Sequence, residues 1–273
     1  MSLRLSLSIP LTLVAILVIC CSERPRYPEK IKMKKTLIIA HRGASSYEKE
    51  NTVRSFKKAI EIGVDMIEFD VRRTKDHVLI AYHDELIESK PIRELTYTEM
   101  VNITRDQGFS IATLEEVLQY TSGRTKLDIE LKEEGYERDV VELLSRYFKK
   151  DQFAITSFYD SCIRRIKDHD PDIKAGLILG ISKPDHPIRT RLSEFFPGRR
   201  CKEAKADFLV PHWRLLCFGF LDRAKRENRP VFVWTVNDEK MIWKMLRDSR
   251  IDGIITDKPY LAISLRQKMD SRT

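Results

Sequence analysis

Beyond its first 32 residues this 273-residue chain has no two cysteines with the close spacing of a metal-ligand or redox pair. Five are present: Cys20 and Cys21 near the start, then Cys162, Cys201 and Cys217 scattered beyond. Zinc-ribbon and thiol-redox chemistry are thereby set aside. Structural or free thiols remain, with a Cys201–Cys217 bridge left open. Internal repeats and low-complexity segments are missing too, and no interdomain linker follows residue 33. No groove-reading motif or RNA-binding signature occurs, so nucleic acid is not an expected partner. The formal charge of +8 includes +3 from residues 1–32, and the +5 that is left is a diffuse excess. It suits an anionic small molecule or an anionic membrane surface.

A run long enough to cross a bilayer is also lacking. Arg4 precedes an apolar stretch, Ile9 to Cys21, interrupted by Pro10 and Thr12. It has the length of a signal-peptide core and is short for a spanning helix. No clean small-x-small cleavage site follows, and Leu17-Val18-Ile19-Cys20 is a poor lipid-acceptor sequence. Residues 1–32 are expected to be a signal- or anchor-like leader, which exports or tethers the domain at 33–273. The alternative is a true start at Met33, which would leave the protein cytoplasmic.

What is present is a regular alternation of apolar runs and amphipathic stretches. Nine strand-like runs occur: Thr36–Ala40, Val64–Val71, Val78–Tyr82, Lys126–Leu131, Phe153–Ser157, Lys174–Leu179, Asp207–Val210, Val231–Val236 and Gly253–Ile255. The second and third are too close for a parallel crossover. Val78–Tyr82 therefore reads as a hairpin excursion, and eight strands remain. Each is followed by a predicted helix, beginning near Asn51, Thr113, Tyr136, Tyr159, Arg189, Leu215, Asp238 and Tyr260. Eight strand–helix units predict a closed (β/α)8 barrel, the TIM-barrel architecture, with a short insertion after the second strand.

In such a barrel the functional side chains gather at the carboxyl ends of the strands. His41 and Arg42 end the first strand, Glu68 and Asp70 the second, and Glu130 and Lys132 the third. Ser157 ends the fourth, Trp234 and Asn237 the seventh, and Asp257 the eighth. Glu68 and Asp70 are two apart and share a face, as do Glu130 and Lys132. Acids on an apolar strand are costly to bury without a cation or a basic side chain beside them.

The stretch His41–Asp84 carries His41-Arg42-Gly43, Glu50-Asn51-Thr52, Glu68-Phe69-Asp70, Thr74-Lys75-Asp76 and His83-Asp84. Downstream come Thr113 to Leu118, Glu130-Leu131-Lys132, Thr156-Ser157-Phe158, Trp234 to Asn237 and Asp252 to Asp257. In this order the motifs resemble the glycerophosphodiester phosphodiesterase family, over about Thr36 to Pro259. His77, Lys49 and Ala112 depart from the family's usual Gly, Pro and Pro. Glu85–Ser110 is short for the family's substrate-covering insertion, which puts substrate size in question.

The residue chemistry fits phosphoryl transfer. Glu68, Asp70 and Glu130 offer carboxylate oxygens to one hard divalent cation, Mg²⁺ or Ca²⁺. Arg42 presents a planar fork to a phosphate and Lys132 a point charge. His41 and His83 are the acid–base pair, with the initial base unassigned. Trp234 is expected to pack on the substrate, and Glu50 to support His41, Arg42 or the metal. Asp84 either orients His83 or caps a turn. Ser157, Asn237 and Asp257 read as structural, and His212 is a modest rim candidate. The resemblance implies hydrolysis of glycerophosphodiesters to sn-glycerol 3-phosphate and an alcohol. It implies attack by the substrate's own glycerol hydroxyl, with a cyclic phosphate that water later opens. The alternatives are lysophospholipase D-type hydrolysis of lysophospholipids, and a noncatalytic barrel that binds phosphodiesters or a membrane.

Overall fold

The computed structural model describes residues 35–181 and 186–271. The leader expected at 1–32 lies outside the described residues. Eight parallel strands form the ring: β1 (Leu37–His41), β2 (Met66–Arg73), β6 (Lys126–Leu131), β7 (Phe153–Ser157), β8 (Lys174–Leu179), β9 (Phe208–Pro211), β10 (Phe232–Val233) and β11 (Gly253–Thr256). Ladders run unbroken from β10 through β11 and β1 round to β9. Two parallel bridges, Leu209 with Val231 and His212 with Trp234, complete the circle between β9 and β10. The TIM barrel expected from the strand count is therefore present.

Strand alternation divides the barrel into two apolar layers. Ile67, Phe69 and Val71 of β2, with Leu127, Ile129 and Leu131 of β6, pack outward under the helices. Phe69, for example, meets Phe56 with ring centroids 5.5 Å apart. Ile39, Met66, Ala154, Ile178, Phe208, Val210 and Ile255 fill the interior. A Cβ on Gly176 would lie 2.2 Å from the Phe208 ring, so this strand position admits only glycine beside that filling. Glu68 and Asp70 share the inward face, above the apolar plug.

β3 (Leu79–Ala81) pairs antiparallel with β2, Val71 opposite Ala81, and is the expected hairpin excursion. The turn between them places His77 at φ 64°. Glycine takes that left-handed region freely, so the family's Gly is replaced here at a conformational cost of about 1–2 kcal/mol.

The insertion holds more structure than its polar sequence suggests. A two-stranded ribbon (β4, Leu86–Ile87; β5, Lys90–Pro91) precedes a helix at Tyr97–Asp106. Thr96 and Glu99 form a capping box there, the Thr-x-x-Glu signature of a helix start. The helical stretch before β9 splits in two, Pro187–Phe195 and Gly198–Ala204. Cys201 is a buried thiol, so a bridge to Cys217 is not made. No helix among the described residues is long and apolar enough to cross a membrane.

The last helix, Pro259–Asp270, is tied to the barrel floor through Arg266. Its guanidinium bonds the Asp65 carboxylate and donates to the Thr36 carbonyl at 2.9 Å. Ile38 N donates to Asp65 Oδ2 at 2.8 Å. Burial pushes the Asp65 carboxyl up, but the Arg266 and Ile38 hydrogen bonds and the charges of Arg266 and Lys35 outweigh it and hold it below its ordinary value. Asp65→Ala leaves the Arg266 charge buried without its partner, which costs about 3 kcal/mol. In a domain of this size that lowers Tm by roughly 6–12 °C in a melt at pH 7. A depressed carboxyl stabilises above its unfolded value and ceases to as pH falls through the folded one. The gap between wild type and Asp65→Ala is therefore full at pH 7 and closes below about pH 4.

Candidate active site

Strand register assembles the site at the carboxyl mouth. His41 of β1 pairs with Glu68 of β2, and Asp70 of β2 pairs with Glu130 of β6. One carboxylate oxygen from each of Glu68, Asp70 and Glu130 falls within 4.8 Å of the others, and all three residues are buried.

The chain leaves β1 through two left-handed residues, Arg42 (φ 55°) and Gly43 (φ 79°). A Cβ on Gly43 would sit 2.4 Å from Ser55 Oγ, so the turn packs flush on the first helix, Val53–Ile62. The turn folds Arg42 back over the acids. Its backbone N–H donates to Glu68 Oε2 at 2.9 Å, its Nε stands 3.1 Å from Asp70 Oδ2, and its Nη1 donates to Glu50 Oε2 at 2.9 Å. Glu50 thus supports Arg42 and stands outside the acid cluster. Asn51, also left-handed at φ 55°, donates from Nδ2 to Asp70 Oδ2 at 2.8 Å. Lys132 Nζ is 2.5 Å from Glu130 Oε1 and 2.9 Å from Asp70 Oδ1.

These cations do not fully offset the acids. Burial, then repulsion from Asp70 and Glu130, pushes the Glu68 carboxyl well above its ordinary range, with Arg42 opposing only in part. Burial also raises Glu130, against the pull of Lys132. Asp70 alone is held low: burial would raise it, but Lys132 and Arg42 prevail. Burial would lower Lys132, but Glu130 and Asp70 lift it to about 12. Beneath them Asp128, buried against Thr156 and near Glu130, is pushed up to about 7. Asp70 Oδ1 stands beside the Lys132 ammonium without a well-aligned hydrogen bond. An acid cluster this crowded, with Glu68 and Glu130 raised and three carboxylates within 4.8 Å, fits a divalent cation.

Both imidazoles face this cluster with their Nδ1 atoms occupied. His41 Nδ1 lies 2.6 Å from Asp257 Oδ1, and its Nε2 lies 3.9 Å from Glu68 Oε2. Asp257 is itself held by Ser45 Oγ at 3.1 Å and by the Asn237 amide. His83 Nδ1 lies 2.7 Å from Asp84 Oδ1. Tyr82 N donates to the Asp70 carbonyl at 3.1 Å, and Arg72 Nε donates to the His83 carbonyl at 2.8 Å, which hold the His83 loop over the mouth. Burial, then Lys132, lowers the His83 imidazole below its ordinary value despite Asp70 and Asp84.

The cavity at the mouth is about 250 Å³ and is lined by His41, Arg42, Glu68, His83, Glu130 and Lys132 on one side. Phe158, Ile178, Ile181, Val210, Trp234 and Ile255 form the apolar side. Trp234 Nε1 donates to Val210 O at 2.9 Å, which fixes the ring edge-on to Phe158 at 5.7 Å. His41, Arg42, Glu68, His83, Glu130, Lys132 and Trp234 line the cavity, Asp70 lies buried within the acid cluster, and Glu50 stands beside Arg42. Asp257, which reads as structural in the sequence, holds His41, and Asn51 and Arg72, for which the sequence offers no role, hold Asp70 and the His83 carbonyl. Ser157 faces away: its hydroxyl donates to Leu131 O at 2.8 Å. His212 packs edge-on to Trp234 at 5.3 Å, behind the cavity wall.

Cation-suited carboxylates, two phosphate-suited cations and two imidazoles at one barrel mouth define a hydrolase that acts on a phosphate ester. A family model described as the glycerophosphoryl diester phosphodiesterase family matches residues 41–261, and the chain belongs to that family. A glycerophosphodiester phosphodiesterase of Caldanaerobacter subterraneus subsp. tengcongensis is 30% identical over 254 residues, covering 86% of this chain and 99% of the relative. The crystal structure of a glycerophosphodiester phosphodiesterase from Parabacteroides distasonis matches with a TM-score of 0.72 at 27% identity, over 87% of this chain and 99% of that one. An Oleispira antarctica phosphodiesterase, solved with its product sn-glycerol-3-phosphate, shares the fold with a TM-score of 0.72 at 23% identity, over 85% of this chain and 97% of that one.

Proposed function

We propose that this mouth hydrolyses glycerophosphodiesters to sn-glycerol 3-phosphate and an alcohol, with Glu68, Asp70 and Glu130 holding one Mg²⁺ or Ca²⁺. The observation that carries the proposal is the acid cluster within 4.8 Å, set beneath two imidazoles. A cation held by these three carboxylates would supply Lewis acidity to the phosphoryl group. Arg42 and Lys132 bind the other phosphoryl oxygens and offset the charge that develops on them. Phe158 and Trp234 offer a flat apolar wall to the glycerol carbons.

With both Nδ1 atoms turned to carboxylates, Nε2 is the proton-handling atom of each ring. Neutral His83 accepts a proton from the attacking hydroxyl. His41, braced by Asp257, donates one to the leaving oxygen; water then opens the cyclic phosphate, giving a proton to His41 while His83 returns one to the glycerol oxygen. The His83 imidazole, lowered by burial and then by Lys132, supports this assignment. The test is release of glycerol 3-phosphate from glycerophosphocholine, glycerophosphoethanolamine and glycerophosphoglycerol with Mg²⁺ or Ca²⁺. No release from any of them with metal supplied sinks the proposal. Comparing each diester with its acylated form separates this reading from lysophospholipid hydrolysis, which Ile181 on the apolar wall would favour.

Asp257 is a positioning residue. Asp257→Asn keeps the shape but offers His41 Nδ1 an amide in place of a carboxylate. We expect kcat to fall roughly 10–100-fold while KM stays within about twofold. A change confined to KM would assign Asp257 to substrate binding instead. The apolar run Ile9–Cys21 supports export or tethering of the barrel, and intact-mass measurement of the mature N-terminus tests that.

A further inference from the structure

The reaction cavity does not end at His83. A second, larger cavity of about 470 Å³ lies beyond the β2–β3 hairpin and shares Lys132 with the first. A cleft lined by Arg72, His83, Glu85, Lys132 and Tyr159 runs between them. Five cationic side chains line the larger cavity, Arg72, Arg73, Lys75, Arg93 and Lys132, against the acids Glu85, Glu133 and Glu134.

Most of these charges are already committed. Arg72 is bonded to Glu133, and Lys132 to Glu130 and Asp70. Arg73 donates to Gly135 O at 3.0 Å, and Glu134 lies 3.3 Å from Arg165. Lys75 and Arg93 have no side-chain hydrogen bond or ion pair among the described residues. They come from separate segments, the β2–β3 turn and the helical turn Ile92–Glu94, and converge on one hollow. Glu85 is the single uncommitted acid, and it stands at the His83 end.

We propose that this cavity binds an anionic group carried on the leaving alcohol, with Lys75 and Arg93 as the determinants. A phosphodiester seated at the acid cluster extends its head group past His83 into the cleft. A phosphate there meets a guanidinium fork and an ammonium. A choline head offers no acceptor and meets like charge. The inference rests on the phosphodiesterase reading and deepens it: the favoured substrate is a glycerophosphodiester whose head group bears a second phosphate.

Glycerophosphoinositol and glycerophosphoinositol 4-phosphate differ only in that phosphate, so the ratio of their kcat/KM values isolates it. In low salt the wild type favours the phosphorylated diester roughly tenfold, as expected for two charge-assisted contacts at a partly exposed site. Salt at several hundred millimolar reduces the preference. The double variant Lys75→Ala/Arg93→Ala loses it and keeps the wild-type kcat/KM for glycerophosphoinositol. Both side chains are exposed, so folding is not at stake. Equal rates for the two diesters in the wild type, or a preference that survives in the variant, overturns the proposal. If inorganic phosphate inhibits the wild type and spares the variant while the two diesters react equally, the hollow belongs to a free anion and the proposal fails. Turnover of glycerophosphocholine in the same series shows whether the parent reading stands. Should no diester react, calorimetric titration with glycerophosphoinositol 4-phosphate decides: equal affinity in wild type and variant rejects the subsite, and weaker binding in the variant supports it.

Discussion

His83→Ala is expected to lower kcat/KM for glycerophosphocholine on the order of 10³-fold, and His41→Ala by a similar factor. The two rings stand on different elements. His41 ends β1, and His83 rides on the loop after the β2–β3 hairpin, yet both line one cavity with the acids between them. Each has its Nδ1 against a carboxylate, 2.6 Å from Asp257 and 2.7 Å from Asp84. In the proposed mechanism this leaves Nε2 of each ring to handle the proton. A base and an acid that serve one phosphoryl transfer act as a unit. The double variant should therefore lose little more than either single one. The pH profile separates the rings. Because His83 is lowered by burial and by Lys132, the acidic limb of kcat/KM falls below about pH 6.5 and is lost in the residual activity of His83→Ala. If either single variant retains more than about a tenth of wild-type activity, the acid–base assignment is wrong, even if the metal assignment survives.

The features legible in the sequence were those set by local periodicity. Alternation on β2 and β6 announces which side chains point inward, and register then does the rest. Once β1, β2 and β6 lie side by side, His41, Glu68, Asp70 and Glu130 become neighbours. The spacing between the second and third runs likewise ruled out a crossover, and the antiparallel ladder of Val71 with Ala81 follows. Where periodicity is weak the reading thinned. The helix Tyr97–Asp106 sits in the insertion and is announced by its Thr96/Glu99 capping box and a short stripe of Tyr97, Met100, Val101 and Thr104. The expected strand Val231–Val236 pairs only over Val231–Trp234: Phe232 and Val233 ladder with β11, and Val231 and Trp234 make single bridges to Leu209 of β9 and to His212 just after it. The roles of Asp257 and Asn51 were not legible. Asp257 reaches His41 across 216 residues of sequence, and only closure of the ring between β11 and β1 brings them together. Asn51 meets Asp70 through a left-handed backbone that no motif spacing reveals.

Glu68→Gln should separate the cation from the fold, because it moves activity and stability in different directions. Glu68 shares the cluster with Asp70 and Glu130, and burial, then their repulsion, raises its carboxyl. The amide keeps its size, and the Gln carbonyl can still accept from Arg42 N, now 2.9 Å from Glu68 Oε2. Removing one of three crowded charges relieves repulsion. The metal-free variant should therefore melt at or above the metal-free wild type. The cation site loses an anionic ligand, however. In the wild type, Mg²⁺ or Ca²⁺ at about a hundred times its Kd adds about 2.7 kcal/mol and raises Tm by roughly 5–11 °C. The same addition should leave Glu68→Gln almost unmoved. Losing about 4 kcal/mol of Lewis-acid stabilisation corresponds to a drop in kcat on the order of 10³-fold. Chelation with EDTA should bring the wild type down to that level, and added metal should restore it. A simple structural ion-pair network predicts the reverse. In that case Glu68→Gln would lower Tm, metal would not shift the wild type, and chelation would leave the rate unchanged. The two melts with and without metal therefore decide between a cation site and a buried salt-bridge cluster before any substrate is added.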